Sequence, residues 1–234
     1  MTKMTESLSD INDINNDPVI HGQEDPITQC PSVHINSLLL AFMGSVLLCM
    51  QTYLSGTLPD PRWAASNMNI AESALPLQYS PLIPMSIFLG GLLGRHLSIV
   101  AVGLYLVAGL FFFPIFANGG GLHYLEQPGA GYLLGILVAA YTSGSMMPFV
   151  LRAKTLAQFQ LNALYTSLIT VVCAHGFGSV VLALQGFCGQ YDFAEWRHWE
   201  NLLTISPFFY DIVVTFALLS AVRIFRNLLW VALY

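Results

Sequence analysis

One acid stands inside a long apolar run of this sequence. Asp211 follows Pro207 by about one helical turn, within the segment 207–230. A carboxylate there accepts and cannot donate, so it suits a neutral ligand that offers N–H groups. The other reading is plain electrostatics, a negative charge resting near the positive end of a helix. A second place for chemistry is the stretch 117–130, Ala-Asn-Gly-Gly-Gly-Leu-His-Tyr-Leu-Glu-Gln-Pro-Gly-Ala. Three successive glycines let the backbone take conformations closed to other residues and leave room beside the main chain. That pattern fits a binding loop over a pocket, and equally a tight connection between packed helices.

Other chemistries find no constellation. His96, His123 and His175 form no ligand pair on one helix face, and His96 and His175 fall at different depths, which sets haem ligation aside. Tyr141-Thr-Ser-Gly-Ser resembles an intramembrane serine-protease motif, yet no base is placed to activate its serine. Cys30, Cys49, Cys173 and Cys188 show neither C-x-x-C pairing nor zinc-ligand spacing and read as small buried hydrophobes. We expect no catalytic residue, metal or cofactor in this chain, and no P-loop appears.

The elements that must position Asp211 and the glycine loop are set by composition. The 234 residues are 55% hydrophobic and 9% charged, with a mean hydropathy of +0.63. A soluble domain is roughly a quarter charged, so this balance marks an integral membrane protein. Six of the thirteen acids fall in the first thirty residues with one base, and the body beyond is formally neutral. No basic stripe exists for nucleic acid. Residues 1–34, polar and without an apolar run, read as a disordered acidic extension, and 35–234 as the membrane domain.

Six apolar segments follow: 35–54, 81–93, 97–116, 131–151, 159–184 and 207–230. The second is short for a crossing, about 20 Å as a helix, unless it begins nearer Leu75 or lies kinked in the bundle. Arg95, Arg152, Lys154, Arg223 and Arg226 fall on one side of such a bundle, against Arg62 and Arg197 on the other. The positive-inside rule then places both termini in the cytoplasm and the loops 55–80, 117–130 and 185–206 outside. Tyr191, Trp196 and Trp199 suit an interfacial belt. Small residues recur every four positions at Ser37, Ala41 and Ser45, at Gly90 and Gly94, and at Gly131 and Gly135. Such spacing lets helices approach closely, within the chain or against a partner subunit.

Four stretches carry a family resemblance: Gly90-Gly-Leu-Leu-Gly-Arg, Val102-Gly-Leu-Tyr-Leu-Val-Ala-Gly, Pro114-Ile-Phe-Ala-Asn-Gly-Gly-Gly and Pro128-Gly-Ala-Gly-Tyr-Leu-Leu-Gly. Across roughly 80–145 the chain resembles the BioY family of biotin transporters. The resemblance implies an all-α bundle of six transmembrane helices in the plasma membrane, with no enzymatic activity. It would serve as the biotin-binding subunit of an energy-coupling factor transporter, partnered by a membrane coupling subunit and cytoplasmic ATPases. Asn118 matches the asparagine of the family's glycine loop, Tyr132 its Gly-Tyr-Leu position, and Asp211 the acid of its Asp-x-x-Lys motif. Ser37, Ala41 and Ser45 are similar to the small-residue surface that meets the coupling partner. The lysine is absent here, its place taken by Val214, and the opening of helix two is altered to Pro81-Leu-Ile-Pro-Met-Ser. On the resemblance, Arg62 in the long 55–80 loop is the candidate for the missing positive charge. A biotin precursor or another small vitamin is the alternative ligand. From a different class, the chain reads as an accessory subunit of a membrane complex.

Overall fold

A computed structural model of the chain describes residues 35–54, 56–58, 77–116 and 119–233. The expected acidic extension 1–34, Asn118 and Arg62 lie outside the described residues. Helix α1 (Ile35–Tyr53) leads into a two-stranded antiparallel ribbon, β1 (Gly56–Leu58) on β2 (Leu77–Tyr79), in which Gly56 pairs with Tyr79. Then come α2 (Leu82–Val107), α3 (Ala130–Leu151), α4 (Leu156–Phe187), the short α5 (Phe193–Glu200) and α6 (Ser206–Leu233). Among the described residues, five helices are long and apolar enough to cross a membrane: α1, α2 with its π-helical extension to Phe112, α3, α4, and the run Phe193–Leu229. The side chains left on the outside, among them Leu38, Phe42, Phe111, Leu161 and Phe225, are apolar, as a lipid-facing surface requires.

The second of these runs is not a straight rod. Gly94, with φ 80° and ψ 173°, breaks α2 into arms 82–93 and 95–107. Leu82, Ile83 and Tyr105 line one cavity, although a straight helix would hold Leu82 and Tyr105 about 34 Å apart. The chain therefore folds back at Gly94, a backbone conformation that other residues adopt only under strain. The second apolar segment accordingly does not start early: Leu77–Tyr79 is strand, and the helix begins at Leu82. The expected connection around Arg95 shrinks to one residue, with Arg95 and His96 already helical.

Glycines let α3 press between its neighbours. A Cβ on Gly90 would stand 2.4 Å from the Ala140 carbonyl oxygen, and one on Gly135 2.7 Å from that of Ala174. The Gly90 and Gly131/Gly135 spacings thus serve internal packing, while Gly94 serves the reversal. In α1, Ala41, Gly44, Ser45 and Leu48 are buried, and a Cβ on Gly44 would lie 3.2 Å from Ala101. The small-residue stripe is turned toward α2, with Ser37 half-buried at its start. A partner approaching α1 from the bilayer would meet Leu38, Leu39, Phe42 and Met43 before Ala41 or Ser45.

Helices α4 and α6 run antiparallel along a polar seam. Gln160 accepts from Ser220 at 2.7 Å at one end, and His175 meets Asp211 at 2.8 Å near the other. Beyond them, Ser179 contacts Thr204 at 3.1 Å in the π-helical turn Asn201–Ile205. This seam sets the depth of the site.

Candidate functional site: a cavity walled by tyrosines and an Asp–His pair

A cavity of about 220 Å³ opens where α2, α3, α4, α6 and β2 converge. Its wall is largely apolar and aromatic, including Ile83, Tyr105, Phe116, Tyr124, Leu133 and Ile136. Tyr105 meets Phe116 edge-on and Phe116 meets Tyr124 at a tilt, with ring centroids 5.5 and 4.8 Å apart, and the Tyr105 hydroxyl is 3.0 Å from Thr52 Oγ1 of α1. Such a lining with a few convergent polar groups is the usual build of a small-molecule site.

The polar groups gather around Asp211. Its carboxylate, 2% exposed, accepts from the Tyr79 hydroxyl at 2.7 Å through Oδ1 and pairs with His175 Nε2 at 2.8 Å through Oδ2. Asp211 is the sixth residue of α6, so its charge is held by two side chains from other elements as well as by any attraction to the helix start. Each carboxylate oxygen retains a lone pair for a further donor. Burial, with the adjacent Asp211 carboxylate, pushes the Tyr79 phenol far above its ordinary range, so it stays protonated and donates.

Tyr132 joins the same wall from α3. Its hydroxyl bonds Thr204, which Ser179 links onward to Glu200 at 2.7 Å. Its ring meets His175 edge-on at 6.0 Å, and Phe208 closes the other side of the imidazole at 5.5 Å. A Cβ on Gly178 would come 2.5 Å from the Tyr132 ring, so that glycine sets where the ring stands.

Of the three residues expected to bind ligand, Tyr132 and Asp211 line this one cavity, and Asn118 lies outside the described residues. The glycine loop is a packed connection that also reaches the cavity. Gly121 donates to the Gly109 carbonyl at 3.0 Å, and a Cβ on Gly120 would sit 2.7 Å from that same oxygen. Phe116, Tyr124 and Gly129, around and beyond the glycines, contribute to the wall. Sequence reasoning missed Tyr79, Tyr105 and Tyr124, and weighed His175 only against haem. The available signal for His175 was a lone imidazole in an apolar span, which in a membrane demands a polar partner.

A sequence model described as the BioY family matches residues 31–229. The chain belongs to the BioY family. Within this BioY member, a 73-residue stretch is 38% identical to the probable biotin transporter BioY of Lysinibacillus sphaericus. That stretch is 29% of this chain and 37% of the relative, so little more than a third of the relative's length is matched. A 2.1 Å crystal structure of the S-component for biotin from an ECF-type ABC transporter shares the fold, with a TM-score of 0.58 at 15% identity. The superposition covers 82% of the BioY chain described here and 92% of that structure.

Proposed function

We propose that this BioY-family chain captures biotin at the outer face of the plasma membrane, as the substrate-binding subunit of an energy-coupling factor transporter. The observation that carries this reading is the aromatic cavity with Asp211 fixed in its wall by Tyr79 and His175. An apolar lining suits a ring and alkyl chain, and a carboxylate with free lone pairs suits ureido N–H donors. Tyr132 packs against the ligand on this reading, and Asn118, outside the described residues, is kept as a ligand-binding residue on the family resemblance alone. The chain binds and releases without catalysing a reaction, and ATP is hydrolysed by cytoplasmic partners through a membrane coupling subunit.

The reversal at Gly94 supports counting arms 82–93 and 95–112 as two crossings, six in all, with both termini inside. Residues 35–234 then form the membrane domain and 1–34 a cytoplasmic acidic extension. Helix α1 is the proposed docking face for the coupling subunit, with Ser37, Ala41 and Ser45 setting its flatness from beneath the exposed apolar row.

Equilibrium binding of labelled biotin to the purified chain in detergent tests the reading. Saturable binding that unlabelled biotin competes away is expected. Asp211→Asn should weaken it at least tenfold, about 1.4 kcal/mol. No binding by folded, monodisperse protein would refute biotin capture and leave the accessory-subunit reading.

A further inference from the structure

Tyr124 brings to the cavity a hydroxyl that the protein itself leaves unused. The residue is 6% exposed and lines the cavity from the 3₁₀ turn Leu122–Glu126, its ring held against Phe116 at 4.8 Å. Its backbone closes that turn, while among the described residues no hydrogen bond reaches its hydroxyl. The other three phenols on this wall are engaged: Tyr79 with Asp211, Tyr105 with Thr52 and Tyr132 with Thr204. A nearly buried hydroxyl left without a partner is costly, and native structures rarely keep one without a reason.

The surroundings of that hydroxyl say what it suits. A Cβ on Gly129 would stand 2.9 Å from the Tyr124 oxygen, and Gly129 itself lines the cavity. Its φ of −75° and ψ of −12° are open to any residue, so the backbone does not require glycine there. What the missing side chain provides is an open approach to the hydroxyl. Gly129 is also the N-cap of α3, where no side chain caps the helix and the first turn holds no acid. The start of such a helix, 22 residues long, carries partial positive charge and attracts an anion. Burial pushes the Tyr124 phenol above its ordinary range, so at neutral pH it keeps its proton and donates. A donor and a positive helix end thus meet at one spot, which is chemistry for a carboxylate. Asp211, an acceptor, makes the opposite demand elsewhere on the wall, tied to β2 and α4 through Tyr79 and His175.

We infer that Tyr124 is a specificity-determining residue, whose hydroxyl donates to the carboxylate of the ligand at the uncapped start of α3, through the opening that Gly129 leaves. The assignment rests on the biotin reading above and sets the direction of the ligand, with its acid tail toward α3. A hydrogen bond to an ionised oxygen is roughly twice as strong as one to a neutral oxygen, so a tail ending in an alcohol is held less well.

The test is competition against labelled biotin, in detergent at neutral pH, by biotin and by biotinol, whose tail ends in an uncharged alcohol. The wild type should prefer biotin. Tyr124→Phe keeps the ring and loses the donor. It should weaken biotin about tenfold or more and biotinol only about threefold, so the preference shrinks. Gly129→Ala, whose Cβ crowds the hydroxyl, should act the same way, and adding it to Tyr124→Phe should cost biotin little more. Should Tyr124→Phe fail to fold, Gly129→Ala carries the same comparison. A folded Tyr124→Phe that binds biotin as the wild type does overturns the assignment and leaves biotin capture standing. An equal loss for biotin and biotinol overturns it too, since the hydroxyl then does not meet the carboxylate. Absence of saturable biotin binding by the folded wild type overturns the biotin reading and this assignment with it.

Discussion

Tyr79→Phe isolates one hydrogen bond on which the geometry of the site depends. The substitution removes a hydroxyl that donates to Asp211 Oδ1 at 2.7 Å and leaves the ring, so almost no cavity forms. Both partners are buried, Tyr79 at 7% exposure, and the acceptor is a carboxylate. A hydrogen bond to a charged group contributes about 1.5–3 kcal/mol net. For a domain near 200 residues each kcal/mol moves the midpoint by about 2–4 °C, so Tyr79→Phe should lower Tm by roughly 3–12 °C in detergent. Stability alone does not name the partner, so the assay is a double-mutant cycle with Asp211→Asn, read by thermal unfolding of all four proteins. If the hydroxyl acts through Asp211, the two losses should fall short of adding by about 1 kcal/mol or more. Additivity within about 0.5 kcal/mol would refute the claim that Tyr79 holds this carboxylate.

Alkaline titration gives a second reading of that tyrosine. Its phenol is raised in the folded protein, mainly by burial, while the unfolded phenol ionises near pH 10. Below pH 10 both states keep the proton; above it the unfolded chain sheds protons that the native one retains, and stability falls with rising pH. Wild type should therefore lose up to about 1.4 kcal/mol per pH unit more than Tyr79→Phe between pH 10 and 11, and parallel curves in alkaline unfolding would count against the buried phenol. Gly94→Ala should destabilise by about 1–3 kcal/mol through backbone strain alone, since nothing lies within 4 Å of its added Cβ. Gly103→Ala, equally unobstructed but inside a helical arm, should be neutral or stabilising by up to about 1 kcal/mol, and thermal unfolding of the pair separates conformation from crowding. Ala41→Leu forces three carbons against α2 and should cost about 1–3 kcal/mol; a folded variant of unchanged Tm would show that this stripe is not packed inward.

What the sequence disclosed and what it withheld divide along physical lines. The apolar runs later found as α1, α3, α4 and α6 were legible to within a few residues, because in a membrane hydropathy alone writes the helix. Asp211 stood out for the same reason, as a charge where charge is expensive. Its partners did not, since His175 lies 36 positions away and Tyr79 132 positions away, and only the register of α4 on α6 and the landing of β2 bring them together. Strands of three residues carry too little alternation to be read. Helix α5 went unread, because residues 185–206 read as an outer loop, although Asp192 and Glu195 stand at capping-box spacing there. Gly94 shared its four-residue spacing with Gly90, and spacing cannot tell a glycine needed for proximity from one needed for its φ.

The single-residue reversal at Gly94 bears on how the protein enters a bilayer. Arm 82–93 is about 18 Å long, too short to be retained on its own as a stable crossing. Arm 95–107 follows with no linker in which the ribosome's next residues could wait outside. The two arms therefore partition into lipid together, as one hairpin of 31 mostly apolar residues, Leu82–Phe112, whose turn carries Arg95 and His96 at its tip. Arg226 of α6 later hydrogen-bonds the Gly91 carbonyl at 3.1 Å, beside that tip. Helix α6 thus latches the hairpin of α2 from a distance of 135 positions along the chain, and the hairpin's tip is held only once α6 has packed against it.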